Sequence, residues 1–208
     1  MLFLTLLISS AVLRDMLRHC NEGKEIRLCD ESLESAENIK ALLNLIYYAK
    51  SPTLSHLNGD VREIIALINL LRKYECDMAL NCIKQNIELR SHRQDGHSLS
   101  VFIIAAVLQD VRACAQAISA GGTWSWTDAK AATVGNDVES AAAKCRLFDL
   151  TGIPYFLFEL IPLRYAHTLL RATRISPPTA RKGSDWKQIS AEFKRLMAQL
   201  PGEHIDRA

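Results

Sequence analysis

The sequence predicts a mainly α-helical fold that keeps one short strand. Along most of the 208 residues, apolar side chains recur at i, i+3, i+4 and i+7, the spacing of one face of a helix. Only residues 24–28 alternate polar and apolar side chains, as a half-buried strand does. Hydrophobic residues make up 49% of the chain, enough to compensate for the entropy lost on ordering, which excludes a disordered protein.

The first 90 residues predict one unit. A short helix is expected to end near Cys20 and to be followed by the strand at residues 24–28. An acidic loop at 30–37 then leads into a helix over 38–48. Two further helices are expected: one carries an apolar stripe of Val61, Ile64, Ile65, Ile68 and Leu71, and the next spans 77–89. The wholly polar or glycine segment 90–97 predicts a domain boundary.

A helical domain is predicted over residues 98–174. It begins with a strongly apolar helical stretch at 99–118 that ends at Gly121-Gly122, a helix-stop signal. Short helices follow at 128–134 and 137–150, and then a helix at 155–174 that Pro162 interrupts. Residues 175–184 have the composition of a linker. The expected last element, in residues 185–208, is an amphipathic helix with the stripe Trp186, Ile189, Phe193, Leu196, Met197 and Leu200.

The opening run at residues 2–13 is nearly continuously apolar. As a helix, twelve residues would span about 18 Å, well short of the roughly 30 Å hydrocarbon core of a bilayer. We therefore expect a buried helix that belongs to the fold, and no membrane span, with a cleaved or anchoring segment as the alternative.

Six cysteines without a CxxC pair indicate reduced core thiols and an intracellular protein.

Sequence motifs for catalysis are missing: there is no GxSxG, Walker loop, GxGxxG or HExxH. His92 and His97 lie in a polar loop without the partners that a metal site needs. The acidic residues between Glu22 and Glu37 are expected to be solvated, with ordinary pKa values. Basic side chains between Arg164 and Arg195 are expected to form a solvated helix face. We therefore predict no enzyme, no cofactor, no metal and no nucleic-acid partner.

Four segments in the first 90 residues together resemble the BTB/POZ family, and in particular its members in mushroom-forming fungi. They read SAVLRDML at 10–17, IRL at 26–28, LLNLIY at 42–47 and LRKY at 71–74, with Leu80 and Cys82 after them. The resemblance covers roughly residues 4–90, and the helices that follow loosely resemble the helical C-terminal region of the same proteins. It implies a truncated BTB/POZ-like unit that lacks its opening strands, followed by an all-helical region.

The expected function is a non-catalytic protein–protein interaction module, an adaptor or scaffold. The resemblance implies protein partners, either a second copy of the chain or a cullin of a ubiquitin ligase. Missing opening strands would leave an apolar surface uncovered, and such a surface marks an interface. The predicted partner-binding residues are Leu4, Leu7, Ile8, Leu13, Met16 and Leu17. Two alternatives stay open: a helical protein anchored in a membrane by residues 2–13, and a helical enzyme that uses the acidic stretch or the two loop histidines.

Overall fold

The protein is mainly helical in the part that a computed structural model describes, and no strand occurs there. The described residues are 10–19, 28, 30, 33–48, 61–91, 98–120, 153, 155–175 and 184–200. Two compact units divide the chain, Met1–Leu89 and Arg90–Ala208. The predicted strand lies outside the described residues except for Leu28, which is exposed and not part of a strand. The mainly α-helical class is confirmed.

Four helices form the described part of the first unit. They are α1 (Ala11–His19), α2 (Ala36–Tyr48), α3 (Val61–Lys73) and α4 (Asp77–Ser91), whose last two residues fall in the second unit. Helix α2 packs against α3. All three helices predicted between residues 38 and 89 are present, because their apolar residues repeat with helical spacing. The ends of α2 and α4 lie within two residues of the predicted ones, and α3 contains the predicted stripe.

The core of the first unit is broader than the predicted stripe. Leu67 and Leu70 of α3 are buried in addition to the predicted residues, whereas Ile65 is only half-buried. From α2, Leu42 and Leu45 contribute buried side chains. A helix that is covered on more than one side buries more than a single stripe, so α3 is the central element of this unit.

A left-handed residue ends helix α3. Glu75 has φ 50°, its amide donates to the carbonyl of Arg72, and the amide of Cys76 donates to the carbonyl of Leu71. These two hydrogen bonds form the Schellman arrangement, in which glycine is the usual residue at the left-handed position. Because glutamate stands there, the sequence carried no clear signal for this helix end.

The second unit contains the other described helices. They are α5 (Ser98–Val107), α6 (Val111–Ser119), α7 (Tyr155–Phe158), α8 (Leu163–Ile175) and α9 (Ser184–Gln199). Helix α6 packs against both α5 and α9, and α9 also packs against α8. The predicted interruption at Pro162 is confirmed, since α7 and α8 flank it. The predicted helices at 128–134 and 137–150 lie outside the described residues.

Aromatic rings from three helices meet in the core of this unit. Phe193 of α9 is fully buried, and its ring centre lies 6.0 Å from that of Phe102 in an edge-to-face arrangement. On the α8 side, the ring of Tyr165 lies 6.3 Å away. The predicted stripe of α9 is buried from Trp186 to Met197, with Leu200 partly exposed. The final helix therefore belongs to the core of the second unit.

The apolar stretch predicted to be helical at 99–118 is divided between two helices, α5 and α6. Gln109 has φ 60°, and its amide and that of Asp110 donate to the carbonyls of Ala106 and Ala105, a second Schellman ending. The carboxylate of Asp110 then accepts a hydrogen bond of 2.9 Å from the amide of Ala113 and caps α6. A lone aspartate inside an apolar run was the available signal.

None of the helices in the described ranges is long and apolar enough to cross a membrane.

Candidate interaction site

Only some of the predicted partner-binding residues lie in the part of the chain that the structure describes. Leu4, Leu7 and Ile8 lie outside the described residues, as does the side chain of Leu17. Leu13 is 8% exposed and Met16 is half-buried, so neither offers a broad apolar surface. The patch as a whole stays a prediction.

Helix α1 is attached to the end of α3 through its first residues. The hydroxyl of Ser10 accepts a hydrogen bond of 3.0 Å from the amide of Leu13, which caps α1. The same hydroxyl donates to the carbonyl of Tyr74, and both residues are buried. The Ser10 hydroxyl thus both caps α1 and joins its start to the residue that follows α3.

A cluster of polar side chains lies beside this attachment. The carboxylate of Glu34 pairs with the ammonium of Lys73 at 2.8 Å and accepts a hydrogen bond of 2.5 Å from the hydroxyl of Tyr74. It also accepts one of 2.8 Å from the amide of Asp30, whose own carboxylate lies 3.1 Å from Lys73. The cluster joins the turn before α2 to the last turn of α3.

These contacts overturn the expectation that the whole acidic stretch is solvated. The side chain of Glu34 is 4% exposed, and hydrogen bonds from Lys73, Tyr74 and the Asp30 amide lower its pKa to about 2. The same pairing with Glu34 raises the pKa of Lys73 above its usual value. A carboxylate with so low a pKa stays ionised near neutral pH and is poorly suited to proton transfer. We interpret the cluster as a structural connection.

Thiols in the described segments are free. Cys76 and Cys114 are buried and Cys82 is half-buried. Burial raises the pKa of the Cys76 thiol and raises that of Cys114 still further, which disfavours the reactive thiolate. His92 and His97 lie outside the described residues. Within the described segments, no group of three or more histidine, cysteine or carboxylate side chains is placed to hold a metal ion.

Helix α8 presents apolar side chains to solvent. Leu163 and Leu170 are 78% and 37% exposed, and Ile175 at the helix end is also exposed. Because Leu163 and Leu170 are seven residues apart, two helical turns, they lie on the same face. Just before α8, Tyr155 is also 78% exposed. We call the side of α8 formed by Leu163, His167, Leu170, Arg171 and Arg174 the outward face; all five residues are exposed.

The opposite side of α8 is in the core. Tyr165, Ala166, Leu169 and Ala172 are buried there, as is Thr168, whose hydroxyl donates to the carbonyl of Arg164 at 2.7 Å. The packing of α8 onto α9 is therefore complete without the leucines of the outward face. Their exposure is not explained by the fold of the described residues.

Positive charge lies beside Leu170, in the C-terminal half of the outward face. Helix α8 contains three arginines and no aspartate or glutamate. On the neighbouring α9, Glu192 forms a two-point ion pair with Arg195, at 2.9 and 2.5 Å. Arg195 lowers the pKa of Glu192, with a smaller contribution from the charge of Arg171. The outward face thus combines apolar side chains with cations.

A second exposed face lies on α4 and has a different character. Met78, Asn81, Gln85 and Leu89 are all exposed, and their spacing places them on one side of the helix. None of the four is charged. Met78 is an apolar residue of this helix that lies outside the core.

Sequence reasoning missed the outward face of α8, although a signal was present. The segment carries more apolar residues than one core-facing stripe needs, since Leu163 and Leu170 fall outside the set that includes Tyr165 and Leu169.

Comparisons of the chain with models of known protein families, with curated proteins and with solved structures find no match.

Proposed function

We propose that the protein is a non-catalytic protein–protein interaction module and that the outward face of α8 is one of its contact surfaces. The observation that carries this proposal is the exposure of Leu163 and Leu170 on a helix whose other side already completes its core packing. Exposed apolar side chains grouped on one face are characteristic of binding surfaces.

The energetic reason is the transfer of these side chains out of water. Fully burying an exposed leucine contributes roughly 1.5–3 kcal/mol. Leu163, which is 78% exposed, would contribute most of that amount, and Leu170, at 37%, a smaller part. A third exposed apolar residue, Ile175, ends α8 but does not share the face of Leu163 and Leu170. The cations beside them would surround the apolar centre with a polar rim, as in many interfaces.

The finer proposal is an intracellular adaptor or scaffold of the BTB/POZ type. Its support is the order of the four sequence segments between residues 10 and 74, together with the helical character of the region. In this proposal the first unit self-associates or recruits a cullin, and the helical second unit binds a different protein. The two units then have separate tasks.

The test compares three tagged versions of the full chain as baits in cells. They are the wild type, the double variant Leu163→Asp with Leu170→Asp, and a control with Met78→Asp and Leu89→Asp. Both double variants replace two exposed apolar residues of a helix, so folding is checked by circular dichroism and thermal unfolding. Bound proteins are identified by quantitative mass spectrometry. We expect a set of them to be retained by the wild type and by the α4 control and to be lost from the α8 variant.

Two results would contradict the proposal. If the same proteins are retained by all three baits, the outward face of α8 is not a contact surface. If both double variants lose the same proteins, the binding reflects general stickiness of exposed apolar residues. Because the substituted residues are exposed, we expect both variants to unfold near the wild-type temperature.

A further inference from the structure

We infer that the outward face of α8 binds an acidic amphipathic helix of a partner protein. This inference rests on the proposed function and names the chemical class of the partner. The inference follows from the positions of the leucines and cations on α8 and from the charged side chains of the neighbouring helix α9.

The leucines alternate with polar side chains along the face. His167 follows Leu163 by one turn, and Arg174 follows Leu170 by one turn. Arg171 lies to one side of this row, near enough to Glu192 of α9 to lower the pKa of that carboxyl. The row therefore begins with Leu163 and carries positive charge at its C-terminal end and along one edge.

The local charge favours a carboxylate-bearing partner. Helix α8 has no acidic residue of its own; one exposed carboxylate, Glu159, comes before its first residue, and on α9 the carboxylate of Glu192 is already held by Arg195. Lys187 and Lys194 of α9 are exposed as well. Positive potential of this kind accelerates association with acidic partners and disfavours basic ones.

A helical partner fits the spacing better than a membrane or a nucleic acid does. Leucines seven residues apart match the two-turn repeat with which one helix packs along another, and flanking charges then select the partner. A membrane-bound helix buries a whole apolar side in the lipid, but the wide apolar side of α8 is occupied by the core. A phosphate backbone would leave the two leucines without an apolar partner.

The partner segment should therefore have apolar residues at a seven-residue repeat, with aspartate or glutamate beside them. Its apolar residues would cover Leu163 and Leu170, and its carboxylates would meet Arg171 and Arg174. Interfaces with exposed charge pairs at the rim lose affinity as salt rises. The chemistry thus predicts selectivity by charge on top of affinity from the leucines.

The test uses three synthetic peptides with the same leucine repeat. In the first, every flanking position is glutamate; in the second, glutamine; in the third, lysine. Binding of each fluorescein-labelled peptide to the full chain is measured by fluorescence anisotropy at low and high salt. We expect the glutamate peptide to bind about tenfold more tightly than the glutamine peptide, the scale of one or two charge pairs, and to lose this advantage at high salt. The lysine peptide should bind most weakly.

Variants of the full chain separate charge from apolar contact. Arg171→Gln with Arg174→Gln should remove the preference for glutamate over glutamine. Leu163→Asp with Leu170→Asp should weaken binding of both peptides, and the α4 control Met78→Asp with Leu89→Asp should leave binding unchanged. Vesicles of phosphatidylcholine with and without phosphatidylserine are tested in parallel, and no leucine-dependent binding to them is expected.

Several outcomes would overturn the inference. Equal binding of the three peptides, or no binding of the glutamate peptide, rejects an acidic helical partner. Leucine-dependent binding to phosphatidylserine vesicles would assign the face to a lipid surface instead. The bait comparison is independent of these measurements: proteins lost by the α8 variant would uphold the proposed function even if every peptide failed to bind.

Discussion

The hydroxyl of Tyr74 donates a hydrogen bond to the carboxylate of Glu34, 40 residues earlier in the chain. Lys73, next to Tyr74, forms an ion pair of 2.8 Å with the same carboxylate. Two consecutive residues at the end of α3 thus hold the turn that precedes α2. Since Ser10 donates to the carbonyl of Tyr74, this one residue connects three segments of the first unit.

The first prediction concerns the acid stability of the protein. The pKa of Glu34 is about 2 in the folded chain and near 4.5 in the unfolded chain, so its stabilising contribution is complete above pH 4.5. It is lost as the pH falls from 4.5 towards 2, because protonation breaks the ion pair. Lys73 is 38% exposed, so solvent screens the pair and reduces this contribution.

The variant Glu34→Gln tests this contribution. Urea unfolding at several pH values should show it to be less stable than the wild type at pH 6, with the difference shrinking as the pH drops below 4.5. The control Glu37→Gln alters an exposed carboxylate in the first turn of α2. A Glu34→Gln deficit that stays constant between pH 6 and 3 would show that the ion pair does not stabilise the fold.

Phe193→Ala should strongly destabilise the second unit. The ring is fully buried against Phe102 and Tyr165, so truncation removes contacts with two helices and leaves a cavity. Such changes cost about 3–5 kcal/mol. The conservative variant Phe193→Leu should cost less. Thermal unfolding by circular dichroism measures both, and equal melting temperatures for wild type and Phe193→Ala would remove this ring from the core.

Gln109→Gly should stabilise the turn between α5 and α6. Gln109 is exposed and has φ 60°, a region that costs residues with a Cβ about 1 kcal/mol more than glycine. Gln109→Ala retains the Cβ and serves as the control. Chemical denaturation should place the glycine variant above the alanine variant by about this amount. The opposite order would mean that the left-handed conformation does not persist in solution.

Leu42→Asp should destabilise the first unit by several kcal/mol, because it places an unpaired charge on the side of α2 that packs against α3. Asn44→Asp introduces the same charge at an exposed position of the same helix and should have a small effect. Limited proteolysis combined with thermal unfolding separates the two variants. An unchanged transition for Leu42→Asp would place Leu42 outside the core.

The BTB/POZ resemblance is carried by local sequence segments, and helices at residues 11–19, 36–48 and 61–73 occupy three of the four. The fourth, at 26–28, is described only at Leu28. Helical segments of this length occur in many folds, so their presence supports a mainly α-helical class without singling out a family. The adaptor function accordingly stays a proposal.

The sequence by itself determined where most described helices lie and which side of α9 is buried. Helical periodicity is a local property: residues three and four apart share a face whatever the rest of the chain does. The buried stripe of α9 could be predicted for this reason, and the helix break at Pro162 could be predicted because it too depends only on the local sequence. The helix end at Gln109 was not, because a glutamine in the left-handed region is held there by backbone hydrogen bonds and not by its own preference.

Only the tertiary structure decided which polar and apolar side chains are covered. Glu34 is buried and ionised because Lys73 and Tyr74 reach it from a helix far along the chain, and no spacing within the acidic stretch reveals that. Leu163 and Leu170 are exposed because Tyr165 and Leu169 occupy the side of α8 that the core covers. Burial depends on neighbours that are distant in sequence. When one helix carries two groups of apolar side chains, the hydrophobic pattern alone therefore cannot show which group is buried.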